Sequence, residues 1–502
     1  MSCSMKKRVL LINAYIKTKN TVSTNMIRSN IEEPYPSLAL LYLAANLRKH
    51  DFEVRILDLP SQIKSARRNL KIEDDEGAVD EFVRNIVEQQ ISDFAPDGVG
   101  INCLFSGRFE GLLYISEIVK NRHPSMPVII GGIHPTIFHT EILQRFSNLD
   151  FVIIGEGEES LVELLQFLFH SKGSLEAIDG ICYREQGQIL ATNKSKFVSD
   201  LGEIPMPAWD LLNIEDYRLD EDIADKFWLN PLHLERKYRL PILTSRSCPM
   251  HCNFCSMHLV HGKQIRYRPV RDCAEEIFYL HDKYGANFFS IMDDNFTLNK
   301  KRVLELADLI VARNIRINMD TPNGISVKFF DADIYQALKA MGLVQINFAI
   351  ESGSERMRNA IMGKKLTYEQ IQRVFEIVKS DESVYVKASF IVGMPEETVE
   401  SLEESFTLMK ELAIDDVGVQ YAIPFPGTRL YDQVARDNLL IVPETDVVLH
   451  HNFHPAADSP FIKPYDLSLD DLVRYKRMMQ SHFADRNAKY GTGSRQPVHH
   501  LL

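Results

Sequence analysis

The chain lacks any run of about 18 apolar residues, so no membrane-spanning helix is expected. It also lacks an excess of positive charge. Its 502 residues carry a net charge of −12, and no long basic tract offers a stripe for phosphates, so nucleic acid is not an expected partner. A secreted disulfide framework is missing too: the seven cysteines are an odd number, and three of them crowd into one loop. Lys6, Lys7 and Arg8 precede only a short apolar run at 9–12, with no small-residue cleavage site, which reads as a first strand and not a leader. Together these features predict a cytoplasmic protein with reduced thiols. With 45% hydrophobic and 25% charged residues, a chain of this length suits roughly two to four globular domains.

The three clustered cysteines lie in Cys248-Pro249-Met250-His251-Cys252-Asn253-Phe254-Cys255, a Cys-x3-Cys-x2-Cys loop. Thiolates at this density are soft ligands, suited to zinc or to an iron–sulfur cluster. A structural zinc wants a fourth ligand, and His251, His258 and Cys273 are the candidates. A cubane held by three cysteines leaves one iron open to a substrate. The loop alone leaves both readings standing.

Before this loop the chain alternates strands (8–15, 52–59, 97–103, 127–130, 151–154) with helices (36–48, 80–92, 109–121, 143–146, 160–169). Strands that are apolar on both faces and alternate with helices imply a parallel, doubly wound α/β sheet over residues 1–190. Ligands of such sheets sit at the carboxyl ends of strands, where Gly131, Gly132, Gly155 and Gly157 fall. Residues 191–239 read as a linker, with Trp209 in a proline-rich run as a packing anchor. Residues 240–430 then repeat strand and helix, with strands at 241–245, 288–292, 315–319, 345–350, 384–392 and 417–423. The helices between them fall near 273–283, 301–313, 332–341, 368–379 and 399–412, which makes a partial (β/α)6 TIM-like barrel. Residues 431–502 read as a small helical region. They hold a surface loop with His450, His451 and His454, a helix at 467–490 and a floppy tail from 491.

With Phe254 before its last cysteine, the Cys-x3-Cys-x2-Cys loop resembles the signature of the radical S-adenosylmethionine enzymes. The resemblance implies that Cys248, Cys252 and Cys255 hold a 4Fe-4S cluster whose open iron binds S-adenosyl-L-methionine, with Phe254 beside it. It further implies that Asp293 and Asp294, ending the second barrel strand, meet the amino group, and that Glu351 and Ser352, ending the fourth, meet ribose and carboxylate. Ser389, Ile391 and Gly393 would meet adenine; they resemble the family pattern Gly-x-Ile-x-Gly-x-x-Glu, with Ser389 replacing its first glycine. Pro424-Phe425-Pro426-Gly427-Thr428 after strand six is another frequent family element.

Residues 5–170 in turn resemble the cobalamin-binding, Rossmann-like domain that precedes many radical S-adenosylmethionine barrels. The likeness rests on Gly131-Gly132-Ile133-His134-Pro135-Thr136 and on Gly155-Glu156-Gly157 after a strand. It implies that these glycines and Glu156 contact cobalamin, with His134 as a tail or loop contact. Cobalamin domains of the methionine-synthase type carry Asp-x-His-x-x-Gly, whose histidine binds cobalt from below. Here the corresponding stretch is Asn102-Cys103-Leu104-Phe105-Ser106-Gly107. The lower face of cobalamin would then meet Cys103, Leu104, Phe105 or Ser106, and a weak or absent lower ligand favours moving a methyl group as a radical.

Strand alternation gathers Arg316, Asn318, Asn347 and Lys387 on inward faces; with Tyr421 they form a candidate substrate pocket suited to a small polar or anionic organic molecule. The combined resemblance implies a cobalamin-dependent C-methyltransferase. One S-adenosyl-L-methionine would methylate cob(I)alamin. A second would yield the 5'-deoxyadenosyl radical that opens the substrate to methylation. A reductase or flavodoxin-type donor would supply electrons. One rival keeps both cofactors but closes a ring or rearranges a skeleton. Another is a cobalamin- or zinc-binding regulatory protein without turnover.

Overall fold

The computed structural model describes residues 6–17, 35–70, 76–218, 238–379, 381, 383–441 and 459–488. Among these, one compact unit takes the residues up to Tyr217 together with Met257–Gly262, and a second takes the remainder. His450, His451, His454, the tail from 491 and residues 219–237 of the expected linker lie outside the described residues.

The first unit is built on β1 (Arg8–Asn13), β2 (Glu53–Asp58), β3 (Gly98–Asn102), β4 (Val128–Gly131), β5 (Phe151–Ile153), β6 (Ile181–Glu185) and β7 (Gln188–Ala191), in sheet order β2-β1-β3-β4-β5-β6-β7. The first five are parallel, and the order reverses beside β1. Their helices are α1 (Leu38–Lys49), α2 (Leu59–Leu70), α3 (Glu76–Phe94), α4 (Phe109–Arg122), α5 (Ile133–Arg145) and α6 (Glu158–His170), followed by the short α7 (Met257–His261). This is a doubly wound α/β sheet with an antiparallel hairpin added at one edge.

Three features depart from the sequence reading. Helix α2 follows β2 without a loop, its proline in the first turn, where the missing N–H costs nothing. Helix α5 runs for 13 residues instead of a short piece at 143–146, because a kink at Phe138 breaks its apolar spacing. The hairpin β6–β7, where the sequence reading places no strand, turns through Gln186 and Gly187, both at positive φ. That is the two-residue turn that matches strand twist, made here without the usual asparagine.

The second unit runs β8 (Arg239–Ile242), a small antiparallel ribbon of β9 (Ser245–Arg246) with β10 (Arg266–Tyr267), then β11 (Phe288–Ile291), β12 (Asn318–Ile325), β13 (Leu343–Glu351), β14 (Tyr385–Val392) and β15 (Asp416–Tyr421). The six long strands pair in parallel and in chain order. Helices α8 (Val270–Tyr284), α9 (Lys300–Arg313), α10 (Ala332–Ala340), α11 (Tyr368–Val378) and α12 (Val399–Glu411) fill the crossovers, and α13 (Arg429–Arg436) and α14 (Leu469–Ala488) follow. On the helix side, Phe348 packs its ring 5.1 Å from Phe330 and 5.2 Å from Phe375. Helix α14 covers β15, where Gln480 donates to the Val419 carbonyl and Lys476 lies over the Tyr421 ring. None of the described helices is long and apolar enough to cross a membrane.

Candidate functional site

The cysteine loop leaves β9 at the carboxyl end of the second unit's sheet, and its shape is imposed from several sides. Asn253 donates its backbone N–H to the Met362 carbonyl at 3.0 Å and accepts the Leu430 N–H at 3.0 Å. Arg429 reaches the carbonyl of His251. Before the loop, Asp293 receives the Thr244 N–H at 2.6 Å and the hydroxyls of Thr244 and Ser245 at 2.6 and 2.5 Å. Both its oxygens therefore already accept bonds from the protein. Burial raises its pKa to about 6, against the pull of those donors. Asp294 accepts the Ser247 N–H at 3.1 Å, so this acid pair anchors the approach to the cysteines.

Cys248, Cys252 and Cys255 are all half-buried, as is Phe254 between them. Burial pushes the Cys248 and Cys252 thiols up, while the nearby Lys364 ammonium pulls both down. Lys364 extends from the loop after β13 and bonds Glu351 at 2.6 Å. Burial opposes its charge, but Glu351, Cys252 and Cys255 hold its pKa above the ordinary value. Lys364 escapes sequence reading because it belongs to none of the motifs. Among the described residues, no group of three His, Cys, Asp or Glu converges on one metal ion, as a closed zinc site would require. Cys273 lies in the core face of α8, 1% exposed, its thiol pushed up to about 12 by burial. A cubane spreads its ligands over different irons, so three thiols on one loop suit such a cluster.

At the end of β13, Glu351 sits at φ 73°, a strained setting for a non-glycine residue, with its carboxylate on Lys364. Ser352 is buried, and its hydroxyl pairs with Ser405 at 3.3 Å and accepts the Ser354 N–H at 3.2 Å. Ser352 thus bonds within the protein, to Ser405 and Ser354. Arg358, in a π-helical turn (Arg356–Ile361), is fully buried and donates to the carbonyls of Ser352 and Leu366, both at 2.7 Å. On β14, Ser389 and Ile391 share the half-buried face with Lys387, while Gly393 follows the strand against Leu472. Glu397, beyond the motif's Glu396, is 1% exposed and accepts the Ser401 hydroxyl. Burial raises its pKa to about 7, with the Gly393 and Met394 amides and Ser401 pulling the other way.

The candidate substrate residues do not all meet. Ser389 donates to Asn347 at 3.1 Å, and Asn347 donates to the Pro322 carbonyl at 3.1 Å. Lys387 is paired with Asp416 at 2.9 Å. Asn318 opens β12, at the end away from the cysteine loop, and Arg316 lies exposed before it. Nearby, Arg239 bonds Asp320 and Ser290, closing the floor of the sheet with a buried ion pair. Tyr421 pairs in register with Val392 and so faces the helices, whereas the row Lys387, Ser389, Ile391 pairs with Asp416, Gly418 and Gln420. The anionic pocket thus loses its cations: one is neutralised and the other is elsewhere.

In the first unit, Asp58, Asn13, Asn102 and Gly131 line up in register as the last residues of β2, β1, β3 and β4. Asn13 donates to Asp58 at 3.0 Å and accepts from Arg108 at 3.0 Å, and Tyr217 donates to Asp58 at 2.6 Å. Burial raises the pKa of Asp58 and lowers that of Arg108. This network fixes the loop after β3. Cys103 is fully buried and bonds the Phe105 carbonyl at 3.2 Å, its thiol pushed up by burial. Ser106 is bonded to His134 Nδ1 at 2.9 Å. Leu104, 37% exposed, and the half-buried Phe105 are what this stretch presents outward, and neither offers a ligand atom.

Gly132 stands at φ 111°, and a Cβ there would lie 2.3 Å from the Cys103 carbonyl oxygen; only glycine lets β3 and β4 end so close together. The close approach at Gly132 holds the loop after β3 against the end of β4, with Leu104 exposed on its outer side. His134 is 1% exposed between Phe109 and Phe138, its pKa pushed down to about 3 by burial. It is a neutral core residue supporting the loop. Glu156 is also buried, accepting the Val198 N–H at 3.2 Å and bonded to His261 at 3.0 Å. Gly155 donates to Thr136 and lies under the Lys194 stem, and Gly157 opens α6. These contacts tie 155–157 to Thr136, Lys194, Val198 and His261.

Residues 24–165 match the family model of the B12 binding domain, and residues 242–409 match that of the Radical SAM superfamily. An uncharacterized methyltransferase of Pyrococcus horikoshii is 31% identical over 407 residues, which is 81% of this chain and 80% of the relative. The cytidylyl-2-hydroxyethylphosphonate methyltransferase of Streptomyces wedmorensis is 27% identical over 86% of this chain and 83% of its own length. Among solved structures, the radical S-adenosylmethionine methyltransferase TsrM from Kitasatospora setae, with cobalamin and a [4Fe-4S] cluster bound, superposes with a TM-score of 0.65. That alignment spans 94% of this chain and 81% of that one at 19% identity, a likeness of fold.

Proposed function

The chain belongs to the family of B12-binding radical SAM enzymes, and from that membership we propose that it is a cobalamin-dependent C-methyltransferase acting on a small organic molecule. The observation that carries the reading is the collinearity of both parts, a B12-binding unit and a three-cysteine barrel, with a methyltransferase over four-fifths of its length. When bound, the cluster with S-adenosyl-L-methionine supplies a 5'-deoxyadenosyl radical, and cobalamin supplies the methyl group.

The chain's own residues hold and orient. Cys248, Cys252 and Cys255 would hold the cluster, on a loop kept in shape by Asn253, Asp293 and Arg429. Lys364 sets positive charge against the thiolates and is steadied by Glu351. Ile391 and Gly393 would border adenine, with Glu397 bracing the turn behind them. Gly131, Gly132, Leu104 and Phe105 would receive cobalamin, Leu104 and Phe105 through apolar side chains that carry no ligand atom. The paired state of Lys387 and the position of Arg316 favour a polar neutral substrate over an anion. The thiol chemistry fits a reducing cytoplasm, with a flavodoxin-type reductase as electron source.

The test uses anaerobically purified protein reconstituted with iron, sulfide and cobalamin, then given S-adenosyl-L-methionine and a strong reductant. S-adenosylhomocysteine formed only when cobalamin is present supports methyl transfer. 5'-Deoxyadenosine alone moves the assignment to a cyclase or rearrangement enzyme. Neither product from protein that holds iron sinks the enzyme reading.

A further inference from the structure

Asn295 lies just past β11, as the residue before a single helical turn (Phe296–Leu298), and is 2% exposed. Its side-chain amide has two ends with different surroundings. Nδ2 points at the sulfur of Cys248, 3.7 Å away. Oδ1 has no hydrogen-bond partner among the described residues. A buried amide that leaves its oxygen unpaired forgoes a stabilising bond, so its orientation needs a reason. The reason lies in the sulfur. A metal-bound thiolate only accepts, so it attracts the amide N–H and repels the amide oxygen. The side chain is thus set to donate to that sulfur.

We propose that Asn295 is a positioning residue for the cluster: its buried N–H donates to the Cys248 sulfur and raises the cluster's reduction potential. The inference rests on the reading that the three cysteines hold a 4Fe-4S cluster. Reduction adds negative charge that is shared with the cysteine sulfurs. A donor aimed at one sulfur stabilises the reduced form more than the oxidised one, and hydrogen bonds to sulfur are a recognised lever on such potentials. Burial strengthens the effect, because no water competes for the sulfur and the local dielectric is low. Asn295 itself transfers no electron. It makes the cluster easier to reduce, the demanding step for any enzyme that must break S-adenosyl-L-methionine reductively.

The test compares the reconstituted full chain with N295L and N295D. Iron content is measured first, then the potential by mediated anaerobic titration followed by electron paramagnetic resonance. In addition, deuterium-sensitive proton couplings of the reduced cluster are recorded in each protein. The expected result is full iron content in both variants and a tenfold shift of the one-electron equilibrium against reduction in N295L, which is about 59 mV. The shift is larger in N295D, whose carboxylate adds repulsion to the lost donor, and one exchangeable proton coupling disappears from both. N295D keeps the shape and polarity of the site, so it decides the matter if N295L folds poorly. An unchanged potential and an unchanged set of couplings in N295D overturn the inference. Loss of iron from both folded variants also overturns it, leaving Asn295 a scaffold residue. A wild-type chain that holds no iron would instead remove the cluster reading itself.

Discussion

Glu397 offers a prediction that can be worked through in numbers. Its carboxyl is 1% exposed, with one oxygen taking the Ser401 hydroxyl and the other without a hydrogen-bond partner among the described residues. Burial raises its pKa from 4.5 to about 7, so the folded chain holds this proton more tightly than the unfolded one. The sign follows from proton linkage. The protonated carboxyl contributes stability that is fully present below pH 4.5 and is lost as pH rises through about 7. The whole window is worth roughly 3 kcal/mol, and the part between pH 6 and pH 8.5 about 1 kcal/mol. E397Q keeps the shape but cannot titrate. Urea unfolding of wild type and E397Q, each at both pH values, isolates this group. The wild type should lose about 1 kcal/mol relative to E397Q on going to the higher pH. A flat difference, or one of opposite sign, would refute the assignment of a buried proton behind the Gly393 turn.

Other perturbations have equally definite outcomes. Gly132→Ala forces a Cβ to 2.3 Å from the Cys103 carbonyl oxygen, so cobalamin binding read by its visible spectrum should fall sharply, with at least about 2 kcal/mol of stability lost. Lys387→Met strands the half-buried Asp416 and should cost roughly 2–4 kcal/mol, most of it restored in K387M/D416L; an equally unstable double variant would contradict the pairing. Phe348→Ala removes the ring between Phe330 and Phe375 and should cost about 3–5 kcal/mol in chemical unfolding. Cys255→Ala should abolish iron binding while leaving the circular dichroism and melting of the apo-protein unchanged, because the loop is held through Asn253.

The parallel frame was legible because its strands are continuous apolar runs and its helices keep a steady amphipathic spacing. Five of the six barrel strands and all five of its crossover helices lie within a few residues of their expected places; the third strand runs 318–325 instead of 315–319. The reading failed where a local device replaced periodicity: the kink at Phe138, the Gln186-Gly187 turn and the absent loop before α2. The cysteines were legible as soft-metal ligands because three thiols within eight residues narrow the chemistry to zinc or an iron–sulfur cluster. Side-chain partnerships were not. Nothing in the order of residues says that Asp293 would be taken up by Thr244 and Ser245, that Lys387 would find Asp416, or that Lys364, 109 residues beyond Cys255, would return to the thiols. The Tyr421 placement failed through parity: it lies one residue off the inward row of β15, and in a strand one residue reverses the face.

The backbone clamp on Asn253 has a consequence for survival in air. Iron–sulfur clusters are destroyed by oxygen, and a loop shaped only by its cluster collapses once the iron is gone. Here two main-chain bonds on Asn253 and the Asp293 anchor tie the loop and its approach to the protein itself. Oxygen damage would then leave an intact, vacant socket in place of a misfolded segment. An iron-delivery system could refill it without the chain passing through the unfolded state, so such an injury would be repairable for as long as the thiols stay reduced.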